Sequence, residues 1–297
     1  MIHVKTIMVP VDFSEPSKKA VNYGLSLAVE FEARLVLAHI TPFDERSYEA
    51  AKARLLQLIP GEYRDRLNYE IIVKAGDVRQ ELAGIIEDKT VDLVVMGSRG
   101  RSYFERLLLG SVTERMLRQV HVPVLTVSHL DPEKEIHRPG VVPLHRILYA
   151  TDLADGTEPG LQFSVRLAHG LDAHLTVLHV VQALDSAFQG IETAAYLPDY
   201  AADLQAGAAE RLNRLVALVS DGSVPISTIL ASGVPYQTID RIAEQNNDDL
   251  IVINLQGKGR IERALLGTTA ERVVRTAAVP VLSLPLPATY AARWSAA

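Results

Sequence analysis

The chain of 297 residues contains no cysteine. This absence excludes disulfide bonds, thiolate nucleophiles and metal sites built on thiolates. The sequence also lacks the phosphate-binding pattern Gly-x4-Gly-Lys-Ser/Thr. No nucleophile, base and orienting group can be recognised together. We therefore do not expect a dedicated enzyme.

Long apolar runs and an excess of basic charge are missing as well. No uninterrupted apolar stretch is long enough to cross a bilayer, and the chain begins with a strand-like run instead of a signal segment. There are 30 Lys and Arg against 36 Asp and Glu, and the two signs are mixed along the chain. This balance argues against a large surface for nucleic acid or an anionic membrane. We expect a cytoplasmic protein with neither partner.

What the sequence does contain is a duplication. Segment 147–152 repeats segment 7–12 at a distance of 140 positions, and the Val-Pro-Val-Leu run of 122–125 recurs 157 positions later at 279–282. The growth of the spacing places 17 additional residues in the second half, around 181–204. We interpret them as a surface loop or an additional helical segment, with a lid over a site as the alternative.

The duplication predicts two domains. The first covers 1–130 and the second covers 144–285. The segment 131–143 between them is polar and rich in proline, as a linker would be, and 286–297 is expected to be a tail.

Each half alternates short apolar runs with amphipathic stretches, which predicts an α/β fold with a parallel sheet covered by helices on both faces. In the first half the expected strands are 6–11, 34–40, 68–74, 91–96 and 123–127. The expected helices are 15–31, 45–58, 78–89 and 112–120. Five strands per half follow, in two doubly wound, Rossmann-like domains.

Ligands of such sheets bind beyond the carboxyl ends of the strands, near the point where the strand order reverses. Asp12 follows the first strand, and Asp152 takes the same place in the second half. A carboxylate there could accept a hydrogen bond from an adenine amino group or a ribose hydroxyl. The alternative is that Asp12 and Ser14 only begin the next helix by capping it.

A second feature follows the fourth strand, where Gly97-Ser98-Arg99-Gly100 is separated by nine residues from Gly110-Ser111. Glycines let the backbone approach a phosphate, and a helix start offers free N–H groups. The alternative is a capping box, Ser-x-x-Glu in 111–114 and Thr-x-x-Glu in 268–271, which begins helices without any ligand. The two interpretations are compatible.

This spacing, Gly-x2-Gly-x9-Gly-Ser, together with Pro-Val-Asp-x-Ser after the first strand, resembles the nucleotide-binding signature of the universal stress proteins. The resemblance covers both halves, so the chain is similar to a tandem universal stress protein. It implies strand order 3-2-1-4-5, ATP as the cofactor with or without Mg²⁺, and pairing of the two units through their fifth strands. That pairing can form within one chain, which leaves both a monomer and a homodimer open.

The resemblance also implies the residues that would bind the nucleotide. In the first half they are Val11, Asp12, Ile40, Met96, Gly97, Arg99, Gly100, Gly110 and Ser111. In the second half they are Asp152, Gly257, Gly267 and Thr268. The enzymes that adenylate substrates on a related sheet carry Ser-Gly-Gly-x-Asp-Ser after the first strand, which this chain lacks. Slow ATP hydrolysis or phosphorylation of Ser111 or Thr268 is the most catalysis we expect.

The second copy departs from the signature, because Asn254 replaces the first glycine. Its side chain would occupy space that a ribose or phosphate needs, so we expect tighter binding in the first half. The matched His39 and His179 are expected to be structural, and no metal site is predicted. Two functions remain open, an ATP-binding regulatory protein of the stress response and a scaffold that binds no nucleotide.

Overall fold

In a computed structural model, residues 4–41, 45–98, 109–128, 144–154, 157–182, 197–255 and 268–285 are described. The predicted linker 131–143 and tail 286–297 lie outside them. In the first half the elements are β1 (Thr6–Pro10), α1 (Glu15–Glu30), β2 (Arg34–Thr41), α2 (Glu45–Gln57), α3 (Gly61–Arg64), β3 (Tyr69–Ala75), α4 (Val78–Asp88), β4 (Leu93–Gly97), α5 (Ser111–Gln119) and β5 (Val124–Val127). In the second they are β6 (Arg146–Thr151), α6 (Glu158–Gly170), β7 (His174–Gln182), α7 (Leu197–Val219), β8 (Ile226–Gly233), α8 (Pro235–Gln245), β9 (Leu250–Asn254), α9 (Thr268–Thr276) and β10 (Val281–Leu284).

The strands form one sheet in the order β3-β2-β1-β4-β5-β10-β9-β6-β7-β8. Each half therefore has the order 3-2-1-4-5, and its strands pair in parallel. The expected α/β class is confirmed. The two five-stranded sheets join into one through their fifth strands, because β10 pairs antiparallel with β5, with Leu282 opposite Leu125.

Both faces of the sheet are buried, which explains why the strands read as continuous apolar runs. Alternate residues of β4 show the arrangement. Leu93 and Val95 belong to the core beneath α1 and α2, whereas Val94 and Met96 belong to the core beneath α4 and α5. The period of two along each strand thus supplies both cores at once.

The duplication is also visible in the hydrogen bonds at the amino ends of the strands. The Asp92 carboxylate accepts from the backbone N–H groups of Lys5 and Thr6, at 2.8 and 3.0 Å. The Asp249 carboxylate accepts from the N–H groups of His145 and Arg146, at 3.0 Å each. One carboxylate in each half therefore anchors the start of the first strand.

Part of the predicted insertion is helical. Helix α7 has 23 residues against 13 in α2, and it begins at Leu197, inside the segment 181–204. Strand β7 continues to Gln182, and 183–196 lie outside the described residues. The short helix α3 was not predicted, because a single turn carries no periodic signal.

Candidate functional site

The strand order reverses between β1 and β4. From β1 the chain passes through α1 to β2 on one side, and from β4 it passes towards α5 and β5 on the other. The crossovers diverge, so a crevice opens beyond the carboxyl ends of β1 and β4. The turn after β1, the end of β4 and the start of α5 border this crevice.

Asp12 lies in the turn after β1 and is half-buried. Its Oδ1 accepts hydrogen bonds from the Ser14 backbone N–H at 3.0 Å and from the Ser14 hydroxyl at 2.5 Å. Ser14 is the N-cap of α1, and its hydroxyl oxygen accepts from the Ser17 N–H. One oxygen of Asp12 therefore organises the helix start, which is the capping role considered as the alternative.

Asp152 occupies the matching turn but is exposed. It accepts from the Ala154 N–H at 3.0 Å, and α6 begins only at Glu158. The turns share a backbone feature, since Phe13 and Leu153 have φ of 64° and 54°. Large side chains adopt such values rarely, so both turns hold a strained residue beside the crevice.

Sequence reasoning missed a cluster at the end of β2. The Phe13 ring lies 4.7 Å from the His39 ring, and the Arg54 guanidinium stacks 3.8 Å from the Phe13 centroid. Its members come from three separate segments, and only the positive φ at Phe13, itself invisible in sequence, brings them together. A cation over an aromatic face is attractive, so Arg54 helps to hold Phe13 in its strained position.

The matched histidines bind the backbone. His39 Nδ1 donates to the Val11 carbonyl at 2.6 Å, and His179 Nδ1 donates to the Thr151 carbonyl at 2.8 Å. Each ring thereby ties the second strand of its half to the end of the first. The expected structural role agrees with these contacts.

Three of the residues expected to bind the nucleotide are apolar, and they lie on both faces of the sheet. Val11 is buried in the core beneath α1. Met96 is buried in the opposite core, and Ile40 packs against that same core while half-buried. Met96 and Ile40 therefore share a face, whereas Val11 lies on the other.

Gly97, the last residue of β4, has a packing role. A Cβ at this position would lie 2.8 Å from the Cβ of Pro16 and 2.9 Å from its carbonyl carbon. These distances are shorter than real Cβ contacts, and one of the atoms is backbone that cannot move aside. The first glycine of the signature thus lets the head of α1 sit directly on β4.

The two ends of the glycine-rich segment are hydrogen-bonded to each other. The Gly110 N–H donates to the Ser98 carbonyl at 3.0 Å, and the Thr113 hydroxyl donates to the Gly97 carbonyl at 2.9 Å. The two ends of the segment 98–110 therefore meet, and we call this segment the closed loop; residues 99–108 lie outside the described residues. Its residues Arg99 and Gly100 lie outside the described residues, as do Gly257 and Gly267 in the second half.

The capping box predicted at Ser111 is wrong. Helix α5 has Gly110 as its N-cap, without a side-chain cap bond among the described residues. The Glu114 carboxylate accepts from Arg118 instead of returning to the helix start. Ser111 is exposed in the first helical position, and so is Thr268 in α9. As in any α-helix, the N–H groups of this first turn have no acceptor within the helix itself.

In the second half, Asn254 does not point where it was expected to obstruct a ligand. Its Nδ2 donates to the Tyr149 hydroxyl at 2.9 Å, and that hydroxyl donates to the Thr157 carbonyl at 3.0 Å. A Cβ on Gly160 would lie 2.5 Å from Asn254 Oδ1 and 2.6 Å from the Tyr149 oxygen. The start of α6 thus packs closely on these side chains. We call the arrangement of Asn254, Tyr149 and Gly160 the Asn254 network.

One buried carboxyl lies away from the crevices, between α8 and α9. Burial, and to a lesser degree the charge of Glu244, raises the pKa of Asp240 to about 6, although a hydrogen bond from the Thr276 hydroxyl opposes the shift. Among the described residues, no group of three or more His, Asp or Glu could hold a metal ion. Within the same residues, no helix is long and apolar enough to cross a membrane.

Comparison with known proteins gives one consistent result. The model described as the universal stress protein family matches residues 3–128 and 143–285. A universal stress protein of Methanocaldococcus jannaschii is 32% identical over 146 residues, which cover 44% of this chain and 85% of that protein. Universal stress protein G of Escherichia coli O157:H7 is 31% identical over 141 residues, which cover 41% of this chain and 98% of that protein.

A solved structure extends the likeness to the whole chain. The crystal structure of a universal stress protein from Archaeoglobus fulgidus DSM 4304 covers 96% of this chain and 97% of that one, with a TM-score of 0.65 and 22% identity. At this identity the likeness concerns the fold. Both halves of the present chain therefore have a counterpart in one solved chain.

Proposed function

The chain belongs to the universal stress protein family, with one family unit in each half, and from this premise we propose that it is a cytoplasmic regulatory protein of the stress response that binds ATP. The nucleotide-bound state, rather than turnover, carries the signal. The pairing of β5 with β10 provides within one chain the contact that the family resemblance implies between two units.

The observation that carries the proposal is the closed loop of the first half. Its ends meet through the Gly110 N–H and the Ser98 carbonyl, at the point of the sheet where strand order reverses. The N–H groups at the start of α5 lie beside it, where a helix end favours negative charge. Loop glycines that admit close backbone approach and a helix terminus together suit the phosphates of a nucleotide.

Within this site Asp12 is assigned to the adenine or ribose, because one of its oxygens is fixed by Ser14 and the carboxylate is thereby oriented. Gly97, Arg99 and Gly100 are assigned to the ribose and phosphates, and Gly110 and Ser111 to the phosphates. A Mg²⁺ ion would be held mainly by phosphate oxygens and water. Any phosphate transfer would reach the exposed hydroxyl of Ser111.

We assign the tighter site to the first half. There α1 begins at Glu15, directly after a side-chain cap by Ser14. Helix α6 begins later, at Glu158, and its N-cap Thr157 makes no side-chain cap bond within the described part of the chain. The Asp152 carboxylate is exposed, whereas that of Asp12 is half-buried and held by the capping Ser14, and this difference replaces obstruction by Asn254 as the physical reason.

A scaffold that binds no nucleotide is the second candidate, and one observation favours it. Gly97 is required by Pro16, and Asp12 is engaged by Ser14, whether or not a ligand is present. These two residues of the signature therefore have structural roles that do not require a bound nucleotide.

Calorimetric titration with Mg-ATP distinguishes the two. Gly110 has φ −61° and ψ 138°, which valine can also adopt, so Gly110→Val puts a branched side chain where the two loop ends meet without straining the backbone. We expect it to weaken ATP binding at least about tenfold, the effect of losing about 1.4 kcal/mol. Gly84→Val is the matched control, because a Cβ there meets nothing within 4 Å. A folded wild-type protein that takes up no ATP would establish the scaffold instead.

A further inference from the structure

The closed loop of the first half is bonded to the second half through strand β5. The Ser98 N–H donates to the Val127 carbonyl at 3.0 Å, while the Ser98 carbonyl accepts from Gly110. The next residue after Val127 is Ser128, which is buried. Its hydroxyl donates to the Ala277 carbonyl at 2.8 Å. Hydrogen bonds and one peptide bond thus connect the loop to the second half through Ser98, Val127, Ser128 and Ala277.

Ala277 is the residue that follows α9. The last carbonyls of a helix have no partner within it, so a buried helix end needs an outside donor. Ser128 provides that donor from the other half of the chain. Its hydroxyl therefore fixes the end of the helix that begins at the glycine loop of the second half.

The arrangement is not reciprocal. The second half repeats the bond from the loop to the fifth strand, since the Leu255 N–H donates to the Leu284 carbonyl at 2.8 Å. The next residue there is Pro285, which has neither a hydroxyl nor an N–H to donate. The position of Ser128 thus has no equivalent donor in the second copy.

A second pair repeats the asymmetry. The Thr126 hydroxyl donates across the interface to the Val281 carbonyl at 3.1 Å. The matching Ser283 hydroxyl is buried without a partner in the described part of the chain. Both of these hydroxyl bonds therefore run from the first half to the second.

We propose that Ser128 couples nucleotide binding in the first half to the end of helix α9 in the second. Nucleotide on the closed loop tightens the bonds of Ser98, which orders the end of β5 and holds Ser128 against Ala277. The inference rests on the proposed function, because it requires a ligand on that loop. The second half then senses occupancy of the first through one hydroxyl, and no matching route runs back through Pro285.

Hydrogen exchange of the full chain, with and without saturating Mg-ATP, tests the coupling. We expect ATP to slow exchange in the last turn of α9 and at Ala277 and Ala278 by about fivefold, a common coupling factor. Ser128→Ala should abolish this slowing while ATP still binds. By reciprocity, the protein with this turn open binds ATP more weakly than the protein with it closed, by the same factor. Loss of one hydroxyl leaves the fold intact.

Two control variants separate the route from a general weakening of the interface. Thr126→Val removes the other crossing hydroxyl but keeps the bonds of Ser98 and Ser128, so the effect of ATP at α9 should persist. Ser283→Ala removes the unpartnered hydroxyl and should change neither the effect of ATP on exchange in α9 nor the affinity for ATP.

ATP binding with equal slowing in Ser128→Ala and wild type would overturn the coupling alone. Failure of the wild type to bind ATP would overturn the proposed function, and the coupling with it. Loss of the slowing in Thr126→Val as well would show that the whole interface, not Ser128, carries it.

Discussion

Restoring the missing glycine by Asn254→Gly should destabilise the protein and should not improve nucleotide binding. The substitution removes the hydrogen bond to the Tyr149 hydroxyl, about 1 kcal/mol. Glycine in a strand also loses more backbone entropy on folding than other residues do, which costs about 0.5–1 kcal/mol. The substitution also leaves a void beside Gly160, for which about 1 kcal/mol is a moderate cost. The free energy of unfolding should therefore fall by about 3 kcal/mol.

The assay is urea unfolding of the full chain, with Gly160→Ala and the double variant completing a cycle. Gly160→Ala alone places a Cβ against Asn254 and the Tyr149 oxygen and should cost about 1–3 kcal/mol. In the double variant the Asn254 contact is gone, so the combined loss should be smaller than the sum by about 1 kcal/mol. Strict additivity, or unchanged stability in Asn254→Gly, would refute the Asn254 network. If Asn254→Gly bound a second ATP per chain, the Asn254 side chain would have to obstruct the crevice of the second half, contrary to this account.

Two further predictions concern stability. Because the pKa of Asp240 is raised to about 6, the folded state favours the neutral carboxyl, and its contribution is lost as the pH rises from about 4 through 6. Asp240→Asn should thus be more stable than wild type by about 1 kcal/mol at pH 8, a value that allows for the partial exposure of the carboxyl, and equally stable at pH 4. Thermal unfolding of both proteins between these pH values measures the difference. A difference in stability that does not change with pH would contradict this prediction. Gly76→Ala should destabilise the protein by more than about 1 kcal/mol, since φ at Gly76 is 148° and the added Cβ would lie 3.1 Å from Glu81. Gly84→Ala, by contrast, should stabilise helix α4 by about 0.5–1 kcal/mol. Equal effects of the two substitutions in urea unfolding would count against the assigned conformations.

Much of the fold could be predicted because its signals are local. Strand β2 was expected at 34–40 and spans Arg34–Thr41, and α4 was expected at 78–89 and spans Val78–Asp88. Apolar period and capping residues determine such bounds within one turn. The direct contact of β5 with β10 came from the family resemblance and not from any local pattern.

The parts of the site that were missed depend on contacts distant in sequence. Asn254 and Tyr149 are 105 positions apart, so no local pattern could show that they share a hydrogen bond. The capping box failed for a different reason. Ser-x-x-Glu at 111–114 fits the pattern, but the Gly110 N–H is held by Ser98, and the helix begins after Gly110 with the serine already inside it.

The most direct test of the central claim is native mass spectrometry of the wild type and Gly110→Val over a range of Mg-ATP concentrations. We predict that one ATP per chain is retained at the lowest concentrations in the wild type and that this tightly bound equivalent is lost in Gly110→Val. Wild-type protein that retains no ATP at any concentration, or a variant that retains it as the wild type does, would contradict a nucleotide site at the closed loop of the first half.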